Sequence, residues 1–348
     1  MKGGVELRQR IGILTGGGDC PGLNPVIRAV VKRAAVDGWE VLGFRNGWKG
    51  VVEGDFTPLD DNSVSGILPK GGTILGTSRT NPFKKSGDLD KLKNTLRNLQ
   101  LHSLIAVGGE DTLGAANKLV KEGVKVVGVP KTIDNDLNAT DYTFGYDTAV
   151  NIAMECIDRL HTTAESHNRV MVVEIMGRHA GWIALESGLA GGADVILIPE
   201  SPVDIEKVCK LIKKRHARGK TFSIVAVAEG AVLKDQEVIA DQKLDQFGHV
   251  RLGGVGQVIG DLIEKKTGFE TRVTVLGHIQ RGGSPTAFDR ILGTRFGVKA
   301  FELVKEGKFG YMVSLQGRNI VAVRIEEAVG QLKTVPAQYY EMAEIFFG

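Results

Sequence analysis

Cysteine is scarce: the 348 residues hold only 3, Cys20, Cys156 and Cys209, with no CxxC spacing. An odd, scattered set excludes both a disulfide framework and a thiolate zinc site. A reducing cytoplasm is the compartment expected. Charge imbalance is also missing, since Lys+Arg 44 against Asp+Glu 41 leaves a net charge of +3. That balance excludes a dedicated nucleic-acid or anionic-membrane binder, and basic residues are expected to act singly, as phosphate ligands. No apolar run approaches the ~18 residues of a membrane span. The opening MKGGVELRQR lacks the apolar stretch of an export signal, so neither export nor membrane insertion is expected. Internal repeats and low-complexity linkers are absent as well. So are two nucleotide fingerprints: G-x-G-x-x-G fails at Pro21, and G-x-x-x-x-G-K-[ST] occurs nowhere.

What is present is an alternation. Short β-branched runs at 10–15, 39–44, 103–107, 125–129, 169–176, 194–199, 222–229 and 272–277 predict strands. Between them, amphipathic stretches such as 24–38, 112–123 and 204–219 predict helices, each closing near a glycine. This is the pattern of an α/β fold, mostly parallel sheet flanked by helices. With 42% hydrophobic residues the chain can supply two cores, and two domains sharing a cleft are expected. The polar, glycine-bearing stretch 234–256 predicts a long surface excursion able to contact substrate or a neighbouring subunit.

Ligands of open α/β sheets sit at the carboxyl ends of strands, and three such ends are furnished for phosphate. ILTGGGDCPGLNPVIR places Gly16, Gly17 and Gly18 between a strand and a helix N-terminus, where backbone N–H groups can approach an anion. LIAVGGEDTLGAA repeats the arrangement, with Glu110 and Asp111 where a divalent cation bridging phosphates can be held. VVGVPKTIDNDL adds Lys131, Thr132, Asp134, Asn135 and Asp136. Together the three loops describe phosphoryl transfer. GGTILGTSRT adds Arg79 in a further glycine-rich loop, either a solvated loop charge or a phosphate clamp, with its neighbours favouring the clamp. Later strand ends carry Arg178, Arg281 and His278, with Arg169 and Arg272 nearby. Guanidinium groups grip phosphate bidentately and Glu229 suits a hydroxyl-rich ligand, so the acceptor reads as a sugar phosphate.

GGDCPGLN, GGEDT, PKTIDND, MGRHAGW and GHIQRGG, in this order from about residue 10 to about 295, resemble the phosphofructokinase family. The tail LKTVPAQYYEMAEIFFG is similar to its pyrophosphate-using members. The resemblance implies Mg²⁺-dependent phosphoryl transfer to the 1-hydroxyl of fructose 6-phosphate. It implies Asp134 as general base, Thr132 and Asp136 as its positioning and electrostatic partners, and Glu110 as metal ligand. Gly17, Arg79, Gly109, Asp111 and Thr112 match donor contacts. Met176, Gly177, Arg178, Glu229, His278 and Arg281 match sugar-phosphate contacts. Arg169 and Arg272 match arginines that reach the 6-phosphate from a neighbouring subunit, implying a homodimer or homotetramer. The family's division implies a donor domain of 1–145 plus about 280–330, and a sugar domain of about 146–279 plus 331–348.

The donor is read from two positions. ATP-using relatives usually have glycine where this chain has Asp111 and Lys131, and pyrophosphate-using relatives resemble it at both. A carboxylate ~4 Å from the α-phosphate of ATP costs roughly 4 kcal/mol at an effective dielectric of about 20. Lys131 favours pyrophosphate by neutralising charge that develops on the phosphates. The alternatives are a solvated Lys131 with Asp111 merely capping a helix that begins near Thr112, an ATP-dependent member of the family, or a sugar-phosphate sensor without turnover. With pyrophosphate the transfer is expected to run near equilibrium, serving glycolysis and gluconeogenesis alike.

Overall fold

The fold was analysed in a computed structural model that describes residues 9–234 and 253–348. Most of the expected excursion at 234–256 therefore lies outside the described residues. Within them, eleven strands run as β1 (Arg10–Thr15), β2 (Glu40–Phe44), β3 (Phe56–Leu59), β4 (Ser103–Gly108), β5 (Val126–Pro130), β6 (Val170–Ile175), β7 (Val195–Leu197), β8 (Ser223–Ala228), β9 (Thr271–Val275), β10 (Tyr311–Gln316) and β11 (Asn319–Arg324). The expected α/β class with mostly parallel sheet is what is observed. No helix among the described residues is long and apolar enough to cross a membrane.

The chain divides into two compact units, neither of them one continuous stretch. Among the described residues, the first runs to Thr132 and adds Leu137–Gly145 and Arg281–Gln331. The second takes Ile133–Asp136, Tyr146–Gln280 and Leu332–Gly348.

The first unit holds a seven-stranded sheet in the order β11-β10-β5-β4-β1-β2-β3. Its centre is parallel, with β3 and β11 antiparallel at the edges. Apolar side chains of β1, β4 and β5 such as Ile13, Ile105 and Val127 are fully buried, which is why these strands read as unbroken hydrophobic runs. Strand order reverses between β1 and β4, the switch point at which such sheets open a crevice. The second unit holds a parallel sheet, β7-β8-β6-β9, with Val172, Val225 and Val227 in its core. Each such valine withdrawn from water contributes about 1.5 kcal/mol or more.

The helix Glu110–Lys121 begins two residues before the position read from the sequence, with Gly109 as N-cap. Three strands escape the sequence reading. β3 contains Pro58 and buries only Leu59 fully. β10 and β11 form a hairpin whose two-residue turn starts at Gly317, φ 58°, a position that suits glycine.

Candidate active site

The loop after β1 is built by close approach. Gly16 N donates to Val107 O of β4 at 2.9 Å. A Cβ on Gly16 would stand 2.5 Å from Thr112 Oγ1, and one on Gly108 would stand 2.3 Å from Thr112 Cβ. Thr112 is itself buried, so only glycine lets the two loops close on it. Gly17 has φ 77°, the left-handed region that glycine enters without strain. Its carbonyl accepts from Thr77 Oγ1, and Thr15 Oγ1 donates to Gly76 O at 2.9 Å. These bonds bring the segment carrying the exposed Arg79 to the end of β1. Glu110 and Asp111 are exposed in the first turn of helix Glu110–Lys121, where acids complement the helix dipole. Asp111 is inside the helix and Gly109 is its cap, so capping does not explain the aspartate.

Lys131 is not solvated. It is 3% exposed, its backbone N donates to Gly108 O at 3.0 Å, and its Nζ donates to Gly18 O at 2.5 Å. A Cβ on Gly17 would lie 3.4 Å from that ammonium, and one on Gly109 would lie 3.3 Å from Lys131 O. A buried cation is thus delivered to the glycine loop of β1. Buried Cys20 donates its thiol to Phe144 O at 3.7 Å, and burial pushes its pKa up to about 12. That thiol is no nucleophile.

The stretch 131–136 changes unit within itself: Lys131 and Thr132 belong to the first, Ile133–Asp136 to the second. Thr132 is buried and its carbonyl accepts from Thr143 Oγ1 at 2.8 Å. Asp134 is 4% exposed, Asp136 half-buried. Between them Asn135 is buried with φ 52°, a left-handed conformation that asparagine tolerates better than most side chains.

In the second unit, the ends of β6 and β8 meet. Glu229, just after β8, accepts from Gly177 N at 3.3 Å and Arg178 N at 3.0 Å through Oε1. Burial pushes the Glu229 carboxyl above its usual range, the two backbone bonds oppose this, and the charge of Asp134 adds to the rise. Arg178 has φ 54°, so the backbone turns sharply just after Gly177. Met176 N donates to Gln280 Oε1 at 2.9 Å, which ties the end of β6 to the turn Gly277–Arg281. His278 on that turn is exposed.

Two expected residues of this unit, Arg169 and Arg272, lie away from this group. Arg169 precedes β6, whereas Met176 follows it, and seven residues of strand span ~23 Å. Arg169 Nη2 lies 2.9 Å from Glu270 Oε1, and Arg272 pairs with the same carboxylate. Arg272 stands opposite Met171 in the β6–β9 register, so both arginines gather at the amino-terminal half of the sheet. They hold the Glu270 carboxyl below its ordinary range, the Arg169 bond contributing most. Arg281 belongs to the first unit, where Nη1 donates to Asp19 O at 3.3 Å and crowds the position a Cβ on Gly18 would take.

The sequence reading misses several residues that shape the site. Gln280 is fully buried and sat unremarked inside GHIQRGG. Thr77 and Asn24 brace the glycine loop, Asn24 Oδ1 accepting from Ile74 N at 2.9 Å. Lys333 donates from Nζ to Asn135 Oδ1 at 2.9 Å, across a separation that no local pattern encodes. Among the described residues no three His, Cys, Asp or Glu side chains gather into a metal-binding group. A phosphate-bound Mg²⁺ needs only one or two carboxylates beside substrate oxygens and water, and the exposed carboxylate of Glu110 at a helix start has the chemistry to supply one.

The Phosphofructokinase family model matches residues 10–304. A Streptomyces coelicolor protein named pyrophosphate–fructose 6-phosphate 1-phosphotransferase is 60% identical over 342 residues, covering 97% of this chain and 100% of its own. A Mycobacterium leprae protein named ATP-dependent 6-phosphofructokinase is 54% identical over 342 residues with the same coverage. The solved phosphofructokinase of Saccharomyces cerevisiae superposes with a TM-score of 0.81 at 31% identity, covering 92% of this chain and 45% of that one. The resemblance drawn from five motifs is thus borne out. A match that runs from the start of β1 into the helix Ala287–Lys305 makes this chain a member of the phosphofructokinase family.

Proposed function

We propose that the chain is a cytoplasmic phosphotransferase that moves a phosphoryl group reversibly from pyrophosphate to the 1-hydroxyl of fructose 6-phosphate, giving fructose 1,6-bisphosphate and phosphate. The observation that carries the donor is Lys131, a buried ammonium bonded to the glycine loop at Gly18. A nucleoside-free donor offers the protein only its phosphates to grip, so a fixed cation stabilises it where charge develops. The loops of Gly17, Gly109 and Thr112 bind the donor, and Arg79 clamps it. Asp134 is the base that accepts the proton of the attacking hydroxyl, with Thr132 and Asp136 beside it. Three residues of chain span no more than about 11 Å, so Lys131 stays within reach of the base's substrate by covalent connection alone. Met176, Gly177, Arg178 and Glu229 hold the sugar, with His278 and Arg281 on its phosphate side. Glu110 is the protein ligand for Mg²⁺, which when bound neutralises charge on the transferring phosphates.

Arg169 and Arg272 stand a strand's length from Met176 and serve the 6-phosphate in a neighbouring protomer, which makes the working enzyme at least a dimer. Asp111 selects against ATP. Because it is exposed, the effective dielectric is nearer about 40 than 20, and repulsion at ~4 Å falls to about 2 kcal/mol, roughly 30-fold. The test compares initial rates of fructose 1,6-bisphosphate formation with Mg²⁺ and either donor, for wild type and Asp111→Gly. Wild type is expected to prefer pyrophosphate, and the variant to raise its ATP rate about 30-fold. A wild type that prefers ATP refutes the donor, and one inactive with both refutes the reaction.

A further inference from the structure

We propose that Lys333, in the C-terminal segment of the second unit, is a positioning residue for the Asp134 loop. The inference rests on Asp134 being the base. All three hydrogen-bonding groups of Lys333 are committed. Its backbone N donates to Asp136 O at 2.9 Å, its Nζ donates to Asn135 Oδ1 at 2.9 Å, and its carbonyl accepts from Trp182 Nε1 at 2.9 Å. The ammonium also lies 5.4 Å from the centre of the Trp182 ring, within the range of a cation–π attraction. Two residues on, Val335 N donates to Glu200 Oε1 at 2.9 Å, and the same carboxylate accepts from Gly181 N at 3.0 Å. The segment is therefore stitched to two motifs at once, the loop holding Asp134 and the MGRHAGW stretch holding Gly181 and Trp182.

The loop needs such a brace. Asn135 holds φ 52° in a buried setting, and a non-glycine residue persists there when its surroundings over-determine it. Lys333 grips the residue beside Asp134 through its side chain and the next one through its backbone. An amide oxygen bonded by a fixed ammonium is stronger than a neutral pair. A base set in this way keeps its carboxylate oriented toward the hydroxyl, and a misplacement of 1 Å lowers turnover by up to about 10²-fold. Lys333 touches neither reacting atom in this scheme, so its loss should appear in kcat and spare substrate binding.

The test measures kcat and both KM values, with pyrophosphate and fructose 6-phosphate, for wild type, Lys333→Met, Lys333→Arg, Asn135→Gly and the double variant Lys333→Met/Asn135→Gly, with Asp134→Asn as control. Glycine is chosen at 135 because it accepts φ 52° while removing the side-chain amide that Lys333 grips. Lys333→Met is expected to lower kcat at least tenfold with both KM values within threefold, and Lys333→Arg to recover most of it. The double variant should be no worse than the poorer single one, since both remove one interaction. Should Lys333→Met fail to fold, Asn135→Gly alone is expected to show the same kcat loss. Full kcat in folded Lys333→Met, additive losses, or a loss confined to KM overturns the inference and leaves the reaction standing. An inactive wild type overturns both, and an active Asp134→Asn overturns the base on which the inference rests.

Discussion

Replacing Lys131 by methionine removes one buried charge and keeps the length and apolar stem of the side chain. A cation ~4 Å from a unit negative charge is worth about 4 kcal/mol at an effective dielectric of about 20. If half a unit of charge accumulates on the phosphates between ground and transition state, kcat falls by about 2 kcal/mol, or roughly 30-fold. Adding the ~4 kcal/mol of lost attraction for the bound donor brings the fall in kcat/KM with pyrophosphate to about 10⁴. Folding should be affected far less. The bond from Nζ to Gly18 O contributes about 1.5–3 kcal/mol as a charged hydrogen bond, and relief from burying an ammonium offsets part of it. Initial rates of fructose 1,6-bisphosphate formation, read through a coupled aldolase assay, and a thermal melt on the same sample separate the two effects. A folded Lys131→Met enzyme within threefold of wild-type kcat/KM for pyrophosphate would refute the electrostatic role and leave Lys131 as a strut for the glycine loop.

Two further outcomes follow from titrating groups. Glu229 has a raised carboxyl pKa, so its protonated form is favoured by folding; its contribution to stability is present below the unfolded pKa and is lost as pH rises through the folded one. Glu229→Gln should therefore gain melting temperature relative to wild type at pH 8 and lose that advantage toward pH 4, while its KM for fructose 6-phosphate rises; equal shifts at both pH values would contradict the assignment. Cys20, with its pKa pushed up to about 12 and no exposure, should resist iodoacetamide at pH 8 in the native protein and react only in denaturant, whereas half-buried Cys156 reacts first; peptide mapping by mass spectrometry reads the order.

The predicted strands and glycine loops were legible because burial on both faces writes itself into sequence as unbroken β-branched runs. β1 and β4 are cases in point, and the loops after them must be glycine wherever Thr112 packs. β11 was not legible: its residues are mostly part-exposed, so its pattern is mixed and only Gly317 punctuates it. The site divides along the same line. Asp134, Lys131 and Glu229 announce themselves as charged residues at strand ends. Gln280 and Lys333 act by holding groups far away in the chain, Lys333 from 198 positions beyond Asn135. Nothing in their own neighbourhoods records the partner.

The interleaving of the two units has a consequence for synthesis. The sheet of the first unit sets β10 beside β5, yet β10 begins at Tyr311, after nearly the whole second unit has been translated. Until then the nascent β5, rich in valine, offers an open edge with backbone groups on display, the feature that invites pairing with another chain. The second unit in turn awaits Leu332–Gly348. Neither half can be completed on the ribosome before the other is well advanced, and a chain stopped short of residue 311 leaves both unfinished.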